Sequence, residues 1–288
     1  MVEFIAEVSS NHNNDLERCI EFIDTASKIG CSGVKFQLFK IDELFAKEAL
    51  DCFSELKERK QWELNPSFIP EIAKACKRNN IKFICTPFYL DAVGILEPYV
   101  DAFKIASYEI LWQDLLKSCA QTRKPMIVST GMATLDEVRY AVETVFENDC
   151  SDLTLLHCTS NYPTLPKDCN LRSIETMRQA LPKNIKFGWS DHTVNFGVIH
   201  RAIHKFDVSM VEFHMDLDGK GKEYQMGHCF LPHQVESLIK SVQDAHLADG
   251  SGKKEPQDSE FKERLWRADP IDGLRPLRGI RKSLCKKQ

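Results

Sequence analysis

A single (β/α)8 barrel of the TIM type, with a short C-terminal extension, is predicted for this chain on three observations. Eight short runs of β-branched and aromatic residues recur along it. Helical patterns fill the intervals between them. The runs themselves are almost continuously apolar, as strands of a parallel sheet covered by helices must be. The 288 residues suit one such barrel, whose usual size is roughly 250 residues. An open doubly wound sheet would announce a glycine-rich phosphate turn after its first strand. Here that place holds Ser9, Ser10, Asn11 and His12, so the closed barrel is preferred.

The elements follow in order. The first run, 2–8, leads to a helical stretch at 15–29. The second, 33–36, is followed by a charged, helix-prone insertion at 41–64 and a helix at 67–79, in which Ile69, Ile72, Ala73 and Cys76 recur at spacings of three and four. The third and fourth runs lie at 82–85 and 102–105. The fifth, 125–128, precedes a helix at 134–148, where Thr134 as N-cap and Glu137 three residues later make a capping box. The sixth, 153–157, precedes a helix at 170–181, and the last two occupy 185–189 and 208–213. The barrel is expected to end near 247. The remainder, 248–288, reads as a polar extension with a short helical patch and a basic, solvated tail rather than a domain of its own.

Composition narrows the function. A formal charge of −4 is too mild to argue for a nucleic-acid or membrane surface, and no apolar run approaches the roughly 20 residues that cross a bilayer. The first residues lack the basic region of an export leader, so a cytoplasmic protein is expected. Eleven cysteines, an odd number with no CxxC pair, read as reduced thiols, several inside apolar runs; their spacing disfavours a structural zinc site.

In such barrels functional residues gather at the carboxyl ends of the strands, and polar residues follow each run here. They are Glu7, Lys35, Gln37, Thr86, Lys104, Ser107, Glu109, Ser129, Thr130, Ser160, Ser190, Asp191, His192, Glu212 and His214. Lys35 and Lys104, with Ser107, Ser129 and Thr130, are suited to clamp an anion such as a phosphate. The competing reading pairs each lysine with a barrel carboxylate such as Glu7 or Glu212. His192 and His214 end neighbouring strands and are suited to chelate a divalent ion with open positions, Mn2+ before Zn2+, with Asp191 and Glu212 orienting the rings. Glu109, Asn161 and Tyr162 are suited to the hydroxyls of a polar substrate, or equally to loop structure.

At these positions the chain resembles the sialic acid (N-acetylneuraminate) synthases. The resemblance rests on Ile5-Ala6-Glu7 with Asn11-His12, Val34-Lys35-Phe36-Gln37, Thr86-Pro87-Phe88 and Phe103-Lys104-Ile105-Ala106-Ser107. It continues through Ser129-Thr130-Gly131-Met132-Ala133-Thr134, Leu156-His157-Cys158-Thr159-Ser160, Tyr162-Pro163 and Ser190-Asp191-His192-Thr193. It implies condensation of phosphoenolpyruvate with an N-acyl hexosamine, typically N-acetylmannosamine, to a nine-carbon 2-keto acid and phosphate. By the same resemblance Lys104, Ser107, Ser129 and Ser190 bind phosphoenolpyruvate with Ser160 nearby, and Lys35, Thr86, Phe88, Glu109 and Tyr162 position the sugar. His192 and His214 hold the metal, expected to be Mn2+ with Mg2+ as the alternative, and a homodimer is expected. The catalytic set is expected to be Glu7, Lys35, Glu109 and Asp191.

The chain departs from the family in three places. Asn13-Asn14 stands where the family has Glu or a glycine turn, so proton handling would fall to Glu7, Glu109 or Glu223. The loop after His214 is replaced by residues 216–223, whose Glu223 is the candidate match for the family's substrate-binding acid. The chain reaches Gln288 near where the family's antifreeze-like domain begins. Two other readings remain open: a keto-deoxy sugar acid synthase acting on another aldose, which would need a second phosphate site rich in arginine, and a catalytically silent sugar-binding barrel.

Overall fold

Alternation along a strand sends every second side chain inward, and eight strands of this kind close on themselves here. In the computed structural model, which describes residues 2–284, the strands are β1 (Glu3–Glu7), β2 (Gly33–Leu38), β3 (Lys82–Pro87), β4 (Ala102–Ile105), β5 (Met126–Ser129), β6 (Leu153–His157), β7 (Lys186–Asp191) and β8 (Met210–Met215). They are parallel, in sequence order, and β1 pairs with β8 to complete the barrel. The connecting helices are α1 (Leu16–Lys28), α2 (Ile69–Arg78), α3 (Leu90–Leu96), α4 (Gln113–Gln121), α5 (Leu135–Glu147), α6 (Ser173–Ala180) and α7 (Phe196–Phe206), with α8 (Pro232–Ala248) after the last strand. The capping box at α5 forms as expected, Thr134 and Glu137 satisfying each other's backbone amides. The open doubly wound alternative is excluded by the β1–β8 ladder.

Period two sorts the inward positions into layers. Ile5, Ile84, Ala102, Ile127, Leu156 and Met210 form a buried apolar cluster of their own. Two residues further along the same strands stand Glu7, Thr86, Lys104, Ser129, Cys158 and Glu212, all buried. Lys35 and Ser190 follow the inward glycines Gly33 and Gly188 by the same step. His192 and His214 come two residues later again. The apolar layer closes the barrel floor, so the charged layer above it opens only toward the carboxyl ends of the strands. Residues of the opposite parity, such as Phe36, Phe83, Phe103, Trp189 and Phe213, join the larger core shared with the helices.

The insertion expected to be helix-prone is helical, and one feature, a ninth strand, was not legible in the pattern. The insertion folds as three short helices, Ile41–Leu44, Lys47–Cys52 and Ser54–Glu58, and a 3-10 turn, Arg59–Trp62. A ninth strand, β9 (Cys229–Phe230), pairs with β8 and places Cys229 opposite His214. The chain also forms two compact units, Met1–Gln243 and Asp244–Gln288. Within the second, the expected solvated tail carries a short helix (Arg278–Leu284), with Arg278 paired to Asp269 and Arg281 to Asp272. Lys286 and Lys287 of that tail lie outside the described residues. All ten described cysteines are free, consistent with reduced thiols.

Gly188 marks where the barrel interior is fullest. A Cβ there would collide with the Leu156 side chain and the carbonyl oxygen of Met210, and the backbone oxygen cannot turn aside. Gly188→Ala is therefore expected to lower stability by about 1–3 kcal/mol, read from denaturant midpoints.

Candidate active site

The charged layer is an ion network with one member left over. Lys35 Nζ lies 3.0 Å from Glu7 Oε2 and 3.2 Å from Glu212 Oε1. Burial works against its charge, but the two carboxylates outweigh burial and raise its pKa. Lys104 is different. Its Nζ donates to Ser129 Oγ (2.7 Å) and to the Ile105 carbonyl (3.0 Å), with Glu212 Oε1 at 3.9 Å. Burial dominates there and lowers its pKa to about 8. Of the two lysines, Lys35 is thus paired with barrel carboxylates, and Lys104 is the ammonium still short of an anion.

Several buried polar atoms of the strand ends are left without partners. Thr86 Oγ1, Ser160 Oγ, Glu109 Oε2 and Glu212 Oε2 are buried and make no hydrogen bond. An orphaned buried polar atom costs about 1–3 kcal/mol, so a cluster of them points to a ligand that satisfies them. Burial raises the Glu109 carboxyl to about 7, Lys104 opposing it. That places its proton transfer near neutral pH, where a general acid or base is most useful. Ser107 Oγ accepts from the Gly131 amide (3.1 Å). A Cβ on Gly131 would strike Ser160 Oγ, Ser107 Oγ and Cys158 Sγ, so glycine is what lets the β4, β5 and β6 ends meet.

The two histidines have their tautomers set by their neighbours. His192 Nδ1 lies 2.7 Å from the Thr159 carbonyl, which can only accept, so Nδ1 carries the proton and Nε2 the lone pair. His214 Nδ1 donates to Glu223 Oε2 at 3.0 Å, with the same result in its neutral form. The ring centroids are 5.5 Å apart, and the Tyr162 ring lies 4.2 Å from that of His192, tilted by 40°. Two Nε2 lone pairs held in this way by outer partners suit a shared divalent ion. A second donor set shares His214: with Glu223, His228 and Cys229 its ligand atoms lie within 4.8 Å of one another. This set, which does not include His192, was not shown by the spacing of residues. His228 went unread because it reaches the site only through β9, and the Gly227-His228-Cys229 sequence carries no spacing signal.

Two expectations need correction. Asp191 does not orient a histidine: its oxygens accept from Trp189 Nε1, Thr193 Oγ1 and the amides of Thr193 and Val194. The carboxylate caps the turn after β7, and the orienting groups are the Thr159 carbonyl and Glu223. Nor does Glu223 stand free for a sugar. It accepts from Ser9 Oγ (2.6 Å), the Ser10 amide and His214, and although burial opposes them, His214, His228 and Ser9 hold its carboxyl far below the usual range. Glu212 likewise bonds to Ser190 Oγ (3.1 Å) and not to an imidazole.

Eleven of the fifteen expected site residues line one cavity of about 770 Å³: Lys35, Phe88, Lys104, Ser107, Glu109, Ser129, Tyr162, Ser190, His192, His214 and Glu223. Glu7 and Thr86 are buried in the polar layer, Asp191 is in its turn, and Ser160 faces an adjoining cavity of about 470 Å³ near Thr130 and Cys158. Asn161 donates to the Pro163 carbonyl and is loop structure.

Residues 22–254 match the NeuB family. The chain belongs to the NeuB family. Among relatives, the chain is 35% identical to protein MJ1065 of Methanocaldococcus jannaschii, over 89% of this chain and 74% of that one. It is 34% identical to the N,N'-diacetyllegionaminic acid synthase of Legionella pneumophila, over 89% of this chain and 76% of that one. Among solved structures, the N-acetylneuraminic acid (sialic acid) synthetase of Leptospira borgpetersenii, crystallised with citrate, superposes with a TM-score of 0.79 at 28% identity, covering 91% of this chain and 90% of that one. Among the described residues, no helix of this NeuB-family chain is long and apolar enough to cross a membrane.

His12, just outside the cavity, supplies a pH test. Its Nδ1 accepts from the Asn14 amide at 2.9 Å, and burial, against the pull of Glu223, lowers its pKa to about 4. An unfolded histidine titrates near about 6.5, so the unfolded chain binds the extra proton and stability falls as pH drops from about 6.5 toward 4. His12→Gln is expected to remove about 1.4 kcal/mol per pH unit from that slope, measured by denaturant unfolding at a series of pH values.

Proposed function

We propose that this chain condenses phosphoenolpyruvate with an open-chain 2-acetamido hexose, N-acetylmannosamine or a relative, giving a nonulosonic acid and phosphate. The observation that carries the reading is the meeting of Lys104, the orphaned carboxylate oxygens of Glu109 and Glu212, and two imidazole lone pairs at one barrel mouth. The names of the family relatives support it, since they are synthases of sialic, legionaminic and pseudaminic acids. The reaction forms a bond from the enol carbon to the aldehyde carbon. Water supplies the new oxygen at the carbon that carried the phosphate ester, and phosphate leaves with its C–O bond cleaved.

Lys104, Ser107 and Ser129 hold the phosphate and carboxylate, and an anion there restores the charge that burial takes from the lysine. Lys35, braced by Glu7 and Glu212, adds fixed positive charge without moving. Glu109, near neutral pKa, holds or gives up a proton at Oε2 as the aldehyde oxygen and the attacking water change charge. Ser190, which donates to Glu212, joins the phosphoenolpyruvate set, and Tyr162 orients the acceptor and limits water at His192. His192 and His214 would hold Mn2+ or Mg2+, which when bound polarises the aldehyde as a Lewis acid. Glu223 fixes the His214 tautomer rather than meeting substrate.

Phosphate release with phosphoenolpyruvate, Mn2+ and a panel of 2-acetamido hexoses tests the reading. Turnover with at least one acceptor is expected, and a folded preparation inert toward all of them refutes it. His192→Ala and His214→Ala should each abolish turnover with unchanged circular dichroism, and Glu223→Gln should weaken Mn2+ binding about 10- to 100-fold by calorimetry. Wild-type rates at low metal in either alanine variant would remove the metal assignment.

A further inference from the structure

Three imidazoles, not two, stand around Tyr162. Its ring centre lies 4.2 Å from that of His192, 5.9 Å from that of His214 and 5.2 Å from that of His228. All four residues line the main cavity. His228 ends the loop after β8, directly before β9, and is only 4% exposed. Its Nε2 faces Glu223 Oε2 at 3.6 Å, and that same oxygen accepts from His214 Nδ1 at 3.0 Å. One carboxylate thus turns a nitrogen of each ring toward itself. The other nitrogen of His228, Nδ1, is buried and makes no hydrogen bond. Nothing in the condensation described above calls on it.

A buried polar atom that has lost its water costs about 1–3 kcal/mol until something replaces it. With Glu223 beside Nε2, the neutral ring carries its proton there and its lone pair on Nδ1. A lone pair is answered by a donor hydrogen or by a cation, and the spacing of the rings fits a cation. A nitrogen about 2.1 Å from an ion sets its ring centre about 3.2 Å away, so neighbouring rings on one ion are centred roughly 4.5–5.5 Å apart. His192 and His214 are 5.5 Å apart and His214 and His228 are 5.0 Å apart, inclined at 64° and 77°. We propose that His228 Nδ1 is a third protein ligand, beside the Nε2 atoms of His192 and His214, for one divalent transition-metal ion. Three imidazoles disfavour Mg2+, which keeps oxygen ligands, and should bind Co2+ or Zn2+ more tightly than Mn2+. This inference rests on the metal site of the condensation proposed above and deepens it.

The test counts ligands on the full chain loaded with Co2+ as a probe. Each coordinated imidazole keeps one exchangeable N–H near the ion, and the paramagnetic ion moves its proton resonance out of the ordinary range. Three such resonances are expected in water, and two in His228→Gln, whose amide can still donate to Glu223. Calorimetry should show Co2+ binding weakened about 100-fold in both His228→Gln and His228→Ala, the upper end of what loss of an outer partner costs. Two resonances in the unsubstituted chain, or unchanged Co2+ affinity in both variants, overturn the third ligand and leave the condensation standing. An intense near-ultraviolet thiolate band that Cys229→Ser removes would put the ion with Glu223 and Cys229 instead, and also overturns it. Three resonances in a chain that releases no phosphate with any acceptor uphold the ligand and defeat the condensation.

Discussion

A lysine ammonium buried inside a protein must find compensating charge, and in this barrel the compensation organises everything above the floor. Lys35 is held between Glu7 on the preceding strand and Glu212 on the last one, within salt-bridge distance of both. Taking three charges out of water costs several kcal/mol per ion, which only close and mutual contact offsets. The arrangement is possible because β1 lies between β2 and β8, so that closure of the barrel brings the three groups to one level. Replacing any one of them would leave a charge stranded in the interior.

Two consequences follow from that network. Glu212 is already committed to Lys35 and to Ser190, so it stands 3.9 Å from Lys104, whose hydrogen bonds go to neutral oxygens. The barrel therefore holds one satisfied cation that shapes the field and one unsatisfied cation that invites an anion. Near the rim, His192 and His214 have their inner nitrogens occupied by a carbonyl and by Glu223, and what each presents outward is a lone pair. Charge, hydroxyl donors and imidazole donors are thus supplied from different strands, and none of them depends on a flexible side chain finding its place.

Much of this was legible in the residues. The eight strands could be read because a parallel strand between core and helices is apolar throughout, and each observed strand falls within two residues of its run. The polar residues just beyond them could be read because period two carries an inward position onward, from Ile5 to Glu7 or from Met210 to Glu212 to His214. What could not be read were partnerships made by loops. Asp191 sits in a motif that suggests chemistry, yet its oxygens are spent on the turn that follows it. Glu223 and His228 approach His214 only because a two-residue strand pairs with β8. The insertion after β2 is too broken into single turns to show a periodic face, so the apolar side chains it lends the cavity emerged only from the fold. Ser160 is nearer to Gly131 than to the main cavity for a similar reason, since its position depends on the loop after β6.

Anion binding at the barrel mouth depends on Lys104 being the group that answers the negative charge of phosphoenolpyruvate. Calorimetry of phosphoenolpyruvate binding at about pH 9, repeated in buffers of different ionisation enthalpy, measures this directly. With a free pKa of about 8, the amine is mostly neutral there, and a bound anion should draw it back to the ammonium form. Uptake approaching one proton, lost in Lys104→Met together with most of the affinity, is the predicted result. Binding that exchanges no proton, or that survives in Lys104→Met, would contradict it.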